Sequence, residues 1–527
     1  MRREDPAGVE QRQVVVVGSG FGGAVTACRL AQAGCDVLVL ERGRWFDGDF
    51  PRRAADPWLW EQGGCGPFDV RSVGGVTAIV AAGVGGGSLL YSNVHLRLPA
   101  EVFAQRWPTG WSREALNPYY DLVASMLDLK RADEPEAQHY WPLPRRAGLL
   151  RDAASRLGAD EDVFHPPLAL DFSDPRVCRT NRFGAEQSGC RHCGKCSVGC
   201  NVGAKNSLDK NYLPLAMHHG AAVRARSEVT GLAREPDGGY RVTYRCLLDG
   251  TDHAVVATTL VLAAGTLGTT ELLLEHGSRL GALSPRLGEH YSANGDYLLT
   301  SLGGIEAEWR PGVGPAITTS VRADDGETWF LVQDGGIPAL DVLLPGVGVR
   351  PDAQDPPLPE EDPGPGHLGV LLAMGRDSAT GTVRRRRTCW RDRLKVGWPW
   401  RSNKRFSDAE RSYLRDVAHV VGDMVEIDTA RFTHRAVSVH SLGGAVMADS
   451  ASDGVVDADG EVFGAPGLFV VDGAGIPTAT GVNPSHTIAA VAERHAERLA
   501  RRLTGDPTWS APGFATVPAY RDPMPVA

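Results

Sequence analysis

The chain has 527 residues, 42% of them hydrophobic and 23% charged, with a formal net charge of −9. That length exceeds what one hydrophobic core serves and predicts two closely joined domains, while the negative balance argues against a nucleic-acid partner and for a small-molecule substrate. Residues 1–13 lack an apolar signal core and no later run approaches the ~20 apolar residues of a membrane span, so a cytoplasmic protein without a span is expected.

Val14-Val15-Val16-Val17 is a continuous apolar run of the buried parallel-strand kind, followed by a glycine turn and a helical pattern over residues 21–33. A second run, Val37-Leu38-Val39-Leu40, closes a βαβ unit of about thirty residues. The turn reads Gly18-Ser19-Gly20-Phe21-Gly22-Gly23. Gly18 permits the tight turn, Gly20 lets the backbone approach a pyrophosphate, and Gly23 lets helix pack on strand. The helix N-terminus offers donors and a positive dipole end to the phosphates. Glu41, eighteen residues past Gly23, stands where an acid takes ribose hydroxyls. This unit binds a dinucleotide without separating FAD from NAD. A second cluster, Gly83-Val84-Gly85-Gly86-Gly87-Ser88-Leu89-Leu90-Tyr91, costs backbone entropy, so something must approach the main chain closely there. Leu89 and Leu90 beside it argue for a packed site over a flexible loop.

Residues 107–149 are aromatic and helical in pattern, with Pro118-Tyr119-Tyr120 at a helix start. Five of the ten cysteines then fall between Cys178 and Cys200. Cys190, Cys193, Cys196 and Cys200 have the spacing of an iron–sulfur run, with Asn201 in place of the usual proline and Cys178 as a remote fifth thiol. Gly189, Gly194 and Gly199 let the loop wrap a ligand; disulfides or free thiols are the alternative, and zinc is disfavoured because its Cys₄ sites draw on separated pairs. Further strand-and-helix material follows at residues 260–264 with 267–276, and at 468–472 with a long helix over 488–503. Between them, residues 294–349 read as an antiparallel sheet, 350–366 as a mobile surface loop, and Arg384-Arg385-Arg386-Arg387 as a solvated strand or hairpin tip. The tail after Gly505 is expected to run extended over the surface.

The two glycine clusters, Ala263-Ala264-Gly265-Thr266-Leu267-Gly268, Asn294-Gly295-Asp296, Val439-His440-Ser441-Leu442-Gly443-Gly444 and Gly481-Val482-Asn483-Pro484-Ser485 occur in order across nearly the whole chain. In this the sequence resembles the glucose–methanol–choline FAD oxidoreductases, and most their cholesterol-oxidase-like branch. The resemblance implies an α/β fold: a Rossmann-like FAD-binding domain with an inserted α+β substrate domain on an antiparallel sheet. The expected division assigns 10–106, 201–296 and 439–505 to FAD and 107–200 and 297–438 to substrate, with 506–527 as a tail. It places Gly83, Gly85, Gly86, Gly87, Ser88 and Tyr91 about the flavin. Ala264 and Gly265 join the cofactor set, Asp472, Gly473, Asn483 and Pro484 meet the ribityl chain and pyrimidine end, and Val229 gives adenine a backbone contact. The helix after Pro484 points its positive end at the flavin.

The same resemblance puts His440 and Asn483 at the reacting face. Alcohol oxidation requires loss of a hydroxyl proton and of the α-hydride; a histidine accepts or orients the proton, and an asparagine fixes the oxygen. Gln333 falls where cholesterol oxidases carry the glutamate of steroid isomerisation, and only a one-residue slip would substitute Asp334. The expected reaction is therefore oxidation of a bulky apolar (steroid- or terpenoid-like) or glycosidic secondary alcohol without isomerisation. His434 is read as structural and His486 as a helix cap. With no histidine beside residues 83–88, FAD is expected to be non-covalent. The electron acceptor is molecular oxygen, or an external acceptor if the cysteines hold an iron–sulfur cluster, as a family dehydrogenase does with cysteines matching Cys190, Cys196 and Cys200. A non-redox FAD-dependent lyase is the third reading.

Overall fold

The computed structural model describes residues 9–51, 61, 64–300, 314–324, 326–337, 368–387, 392–421 and 435–524. The valine run is the buried end of strand Glu10–Val17, and helix Phe21–Gln32 leads from it to strand Val37–Leu40. The sheet runs parallel in the order Ala222–Arg224, Val37–Leu40, Glu10–Val17, Asp252–Leu262, Leu468–Val470. Continuous apolar strands suit this position because helices cover both faces. Strand Asp252–Leu262 is shared: residues 260–262 pair in parallel with Leu468–Val470, whereas residues 252–257 pair antiparallel with Tyr240–Cys246, itself paired with Ser227–Arg234. The C-terminal helix Ser485–Thr504 packs on Phe21–Gln32 and on Arg113–Met126. Its Glu493 accepts from Nε and Nη2 of buried Arg29, each at 2.7 Å, and from the Tyr212 hydroxyl at 2.7 Å, while Arg29 Nη1 bonds Gln32. This buried ion pair is satisfied on all sides, the condition under which such a pair is tolerated.

The expected second sheet exists, and its membership is wider than residues 294–349. Its order is Tyr297–Thr300, Leu368–Gly375, Trp329–Ile337, Ser320–Asp324, Val163–Phe164, antiparallel throughout. Phe330 and Val332 face helices Arg145–Arg156 and Trp400–Val421 in a separate apolar cluster with Val321, Leu371 and Leu414. The period of two then turns Leu331 and Gln333 to the opposite face, where Leu331, Leu372 and Met374 join the main core.

Three local readings are corrected. Pro118 lies inside helix Arg113–Met126; Ser112 caps the helix, its hydroxyl accepting from the Ala115 N–H at 3.1 Å. The helix after the third glycine motif runs Gly265–Leu280, and the C-terminal one begins at Ser485. The arginine run lies on a hairpin strand as expected, Thr382–Arg387 against Asp392–Gly397, with Arg385 bonded to Glu275 at 3.0 Å. The 350–366 stretch and His434 lie outside the described residues. The tail crosses the surface, tied by Arg113 to Asp522 at 2.7 Å and by Arg97 to the Tyr520 carbonyl at 2.8 Å. Among the described residues no helix is long and apolar enough to cross a membrane.

Candidate active site

The glycines of the first turn divide by what crowds them. A Cβ on Gly18 would stand 2.2 Å from the Ala263 carbonyl oxygen, and one on Gly23 would stand 2.0 Å from that of Gly18. These two therefore serve the protein's own close packing. Gly20 differs: its Cβ would meet only the Gly86 Cα, at 3.9 Å. Gly87 in the second loop has nothing within 4 Å, and the same holds for Gly265. Between them the backbone is bare and faces open space, the cradle a pyrophosphate and ring system require. The two loops touch at Gly86, where a left-handed φ of +53° and the 2.6 Å at which a Cβ would stand from the Gly20 Cα exclude a side chain. Gly83 and Gly85 are also left-handed and pack under Leu89. The Ser88 hydroxyl bridges the Gly85 carbonyl at 2.7 Å and the Leu208 N–H at 3.0 Å, so it shapes the loop.

Glu41 accepts from the Ser19 N–H at 3.0 Å, the Ser19 hydroxyl at 2.7 Å and the Gly43 N–H at 2.9 Å. A carboxylate offers about four acceptor sites, so one remains for a ribose hydroxyl. Strand Ser227–Arg234 starts against Glu41 (the Ser227 N–H donates to its carbonyl at 2.8 Å) and bulges between Val229 and Gly231. That breaks the ladder beside Val229. At the other end, buried Asp472 accepts from the N–H groups of Gly265 (2.8 Å) and Ala474 (2.9 Å) and from the Thr269 hydroxyl. Burial pushes its carboxyl up to about 6, against the pull of these donors. Asp472 thus ties Ala264 and Gly265 to Gly473. Phe21 packs edge-on against Tyr91 (5.5 Å) and His95 (5.9 Å), and the Tyr91 hydroxyl meets His95 Nε2 at 3.0 Å.

The residues expected at the reacting face are held by partners from distant segments. His440 Nδ1 lies 2.7 Å from Asp296, whose other oxygen accepts from the N–H groups of Val439 (2.7 Å) and His440 (2.9 Å). A carboxylate only accepts, so Nδ1 carries the proton and Nε2 presents its lone pair. Asn483 is buried, its amide locked head to tail with Gln333: Gln333 Nε2 donates to Asn483 Oδ1 at 3.1 Å and Asn483 Nδ2 to Gln333 Oε1 at 3.3 Å. Gln333 spends its second hydrogen on the Ser320 hydroxyl at 3.0 Å. Asp334 lies on the other face, bridged to Arg146 at 2.9 Å and accepting from Thr318 and Thr319, so the slipped register does not occur.

Sequence reading missed the residues that hold this arrangement. Asp296 was visible only as part of a motif. Asn294 carries the 480–483 loop: its Oδ1 accepts from Thr480 N–H, Thr480 hydroxyl and Gly481 N–H, each at 2.9 Å, and its Nδ2 donates to the Val482 carbonyl at 2.9 Å. Buried Asp377 in turn pins Ser292, Ala293 and Gly295. Pro484 occupies the N-cap of Ser485–Thr504, so His486 is no cap; it is buried between His95 and Tyr120, with Nε2 on the Tyr120 carbonyl at 2.9 Å.

Cys190, Cys193, Cys196, Cys200 and Cys178 are all free thiols, and no three metal-ligating side chains among the described residues form a group able to hold a metal ion. Burial, with the neighbouring thiols adding to it, pushes Cys193 up to about 12 and Cys190 well above the usual thiol range. The donor set as placed does not fit an iron–sulfur cluster.

The sequence pattern of the GMC oxidoreductase family matches residues 12–292 with its amino-terminal part and 375–492 with its carboxy-terminal part. A cholesterol oxidase of Mycobacterium tuberculosis is 32% identical, the alignment covering 92% of this chain and 90% of that protein. A cholesterol oxidase of Acinetobacter baumannii is 28% identical over 91% and 93%. An FAD-dependent oxidoreductase from Chaetomium thermophilum, solved with a bound fragment, shares the fold at a TM-score of 0.61 and 18% identity, over 93% of this chain and 99% of that one. The chain belongs to the GMC oxidoreductases, FAD-dependent enzymes that act on CH–OH groups.

Proposed function

We propose that this protein oxidises a bulky, apolar secondary alcohol to the ketone and stops there, without moving a double bond. The observation that carries the reading is the pairing of an Asp296-oriented His440 with a Gln333-locked Asn483. When bound in the cradle of Gly20, Gly86 and Gly87, FAD supplies the hydride acceptor. His440 Nε2, its lone pair held free by the Nδ1 bond, takes the hydroxyl proton. Asn483 Nδ2 gives one hydrogen to Gln333 and keeps one for the alcohol oxygen, so two hydrogen bonds aim the reacting carbon. The N-terminus of helix Ser485–Thr504 favours negative charge at the flavin's pyrimidine end.

Gln333 supports the second half of the reading. Steroid isomerisation needs a group that removes a proton from one carbon and returns it to another, and a neutral amide has none to exchange. An apolar substrate is supported by the two cholesterol oxidases among the relatives. Molecular oxygen is the acceptor in this reading, and no step runs through the cysteines. In an anaerobic mixing experiment with 3-hydroxysteroids and terpenoid alcohols, the flavin of wild-type protein bleaches. His440→Ala lowers the reduction rate by about 10²–10⁴-fold, and the product retains its original double bond. Unchanged reduction in His440→Ala, or an isomerised ketone, overturns the proposal.

A further inference from the structure

Lys205 is 2% exposed, buried between the cysteine-rich loop and the second glycine loop. Its ammonium donates to the carbonyls of Leu89 at 2.9 Å, Tyr91 at 2.8 Å and Cys196 at 3.0 Å, and lies 4.8 Å from the centre of the Tyr91 ring. A lysine ammonium has three donors and no acceptor. Here three carbonyl oxygens from two loops match them one for one. Among the described residues no carboxylate hydrogen-bonds to it, so its hydrogen bonds are made by backbone carbonyls beside an aromatic face.

We infer that Lys205 is a positioning residue for the flavin site: its ammonium clamps the carbonyl end of the Gly83–Tyr91 loop to the cysteine-rich loop and so holds Gly86 and Gly87 in their ring-binding conformation. The inference rests on the reading of those glycines as the FAD cradle. A Cβ on exposed Gly87 would meet nothing within 4 Å, so the loop has open space at the point where a ligand must meet it. The loop is held from within by the Ser88 hydroxyl, by the Ser19 hydroxyl accepting from the Gly85 N–H at 3.0 Å, and at its carbonyl end by Lys205. Leu89 and Lys205 also line a cavity of about 200 Å³ with Phe46, Phe50 and Cys200, so the far side of the clamp is not backed by solid packing. Loss of the ammonium therefore frees the loop end to shift.

The test is FAD titration of apo-protein for wild type, Lys205→Met, Lys205→Arg and Leu414→Ala. Leu414 is fully buried in the cluster behind the antiparallel sheet, far from the loop in the fold, and controls for general loss of stability. Lys205→Met is expected to bind FAD at least tenfold more weakly and to shift the bound flavin's visible band. Lys205→Arg, which keeps the charge but spreads its donors over a planar fork, falls between it and wild type. Leu414→Ala melts earlier yet binds FAD as wild type does. If Lys205→Met does not fold, Lys205→Arg alone decides. Affinity and spectrum unchanged in the Lys205 variants, with only the melting temperature lowered, overturn the inference. Failure of wild-type protein to bind FAD would instead overturn the reading of the cradle.

Discussion

Replacing Asp296 with Asn separates an oriented histidine from a merely nearby one. Asp296 uses one oxygen for His440 Nδ1–H at 2.7 Å and the other for two backbone N–H groups at 2.7 and 2.9 Å. An amide has one acceptor end and one donor end. If its oxygen serves the backbone, its NH₂ faces Nδ1 and drives the imidazole proton to Nε2, leaving no base toward the substrate. If it serves Nδ1, the NH₂ meets two N–H donors, an arrangement that sets donor against donor and leaves all of them unpaired. The first is therefore adopted, and the wrong tautomer at a catalytic histidine costs about 10²–10⁴-fold, or about 3–5 kcal/mol of barrier. The assay is anaerobic stopped-flow reduction of the flavin by a secondary alcohol. The rate at saturation is expected to fall by that factor with little change in apparent substrate affinity. A variant reducing within about threefold of wild type would refute the tautomer argument.

Other consequences follow from the same structure. Asn294→Ala removes four hydrogen bonds of 2.9 Å from the 480–482 loop; at about 1 kcal/mol each it should cost about 3–4 kcal/mol in urea unfolding and slow flavin reduction by releasing Asn483. Arg146→Leu strands fully buried Asp334 and should destabilise by about 3–5 kcal/mol, while the double change Arg146→Leu/Asp334→Leu recovers part of that loss. Burial holds His192, His486 and His495 down to about 3 and His95 well below its usual range. The unfolded chain takes up these protons as pH falls through 6.5 and the folded chain does not, so stability is lost. At pH 5 His192, His486 and His495 each cost about 2 kcal/mol, about 6 in all, while Asp472, raised to about 6, offsets about 1 kcal/mol. That sum approaches the whole stability of an ordinary fold, so cooperative acid unfolding near pH 5, followed by circular dichroism, is expected; a flat profile down to pH 4 would contradict it.

The parts of the protein that were legible in the sequence are those with short-range signatures. Val14 to Val17 and Gly18 to Gly23 announce strand, turn and helix because continuous burial and bare backbone leave marks within a few residues. His440, Asn483 and Gln333 were found through motif order, and the fold brings Gln333 onto Asn483 across 150 residues. What was not legible depends on three-dimensional neighbours. Pro118 reads as a helix start because proline is at home there, yet Ser112 caps the helix earlier and packing against the C-terminal helix carries it through. His486 carries no local sign that Tyr120 and His95 enclose it. Asp296 and Asn294 bond across 144 and 186 residues, a span that no spacing rule reaches. The cysteines show the opposite case: their spacing suits a cluster, but as placed they form no group able to hold a metal ion among the described residues.

The most direct test of the account is anaerobic flavin reduction by a secondary alcohol and by the same alcohol deuterated at the carbinol carbon, in wild type and in Asn483→Ala. The account predicts rapid bleaching in wild type, slower bleaching with the deuterated alcohol, and a much reduced rate in Asn483→Ala. A flavin that stays oxidised across steroid and terpenoid alcohols while the protein still turns one of them over would contradict it.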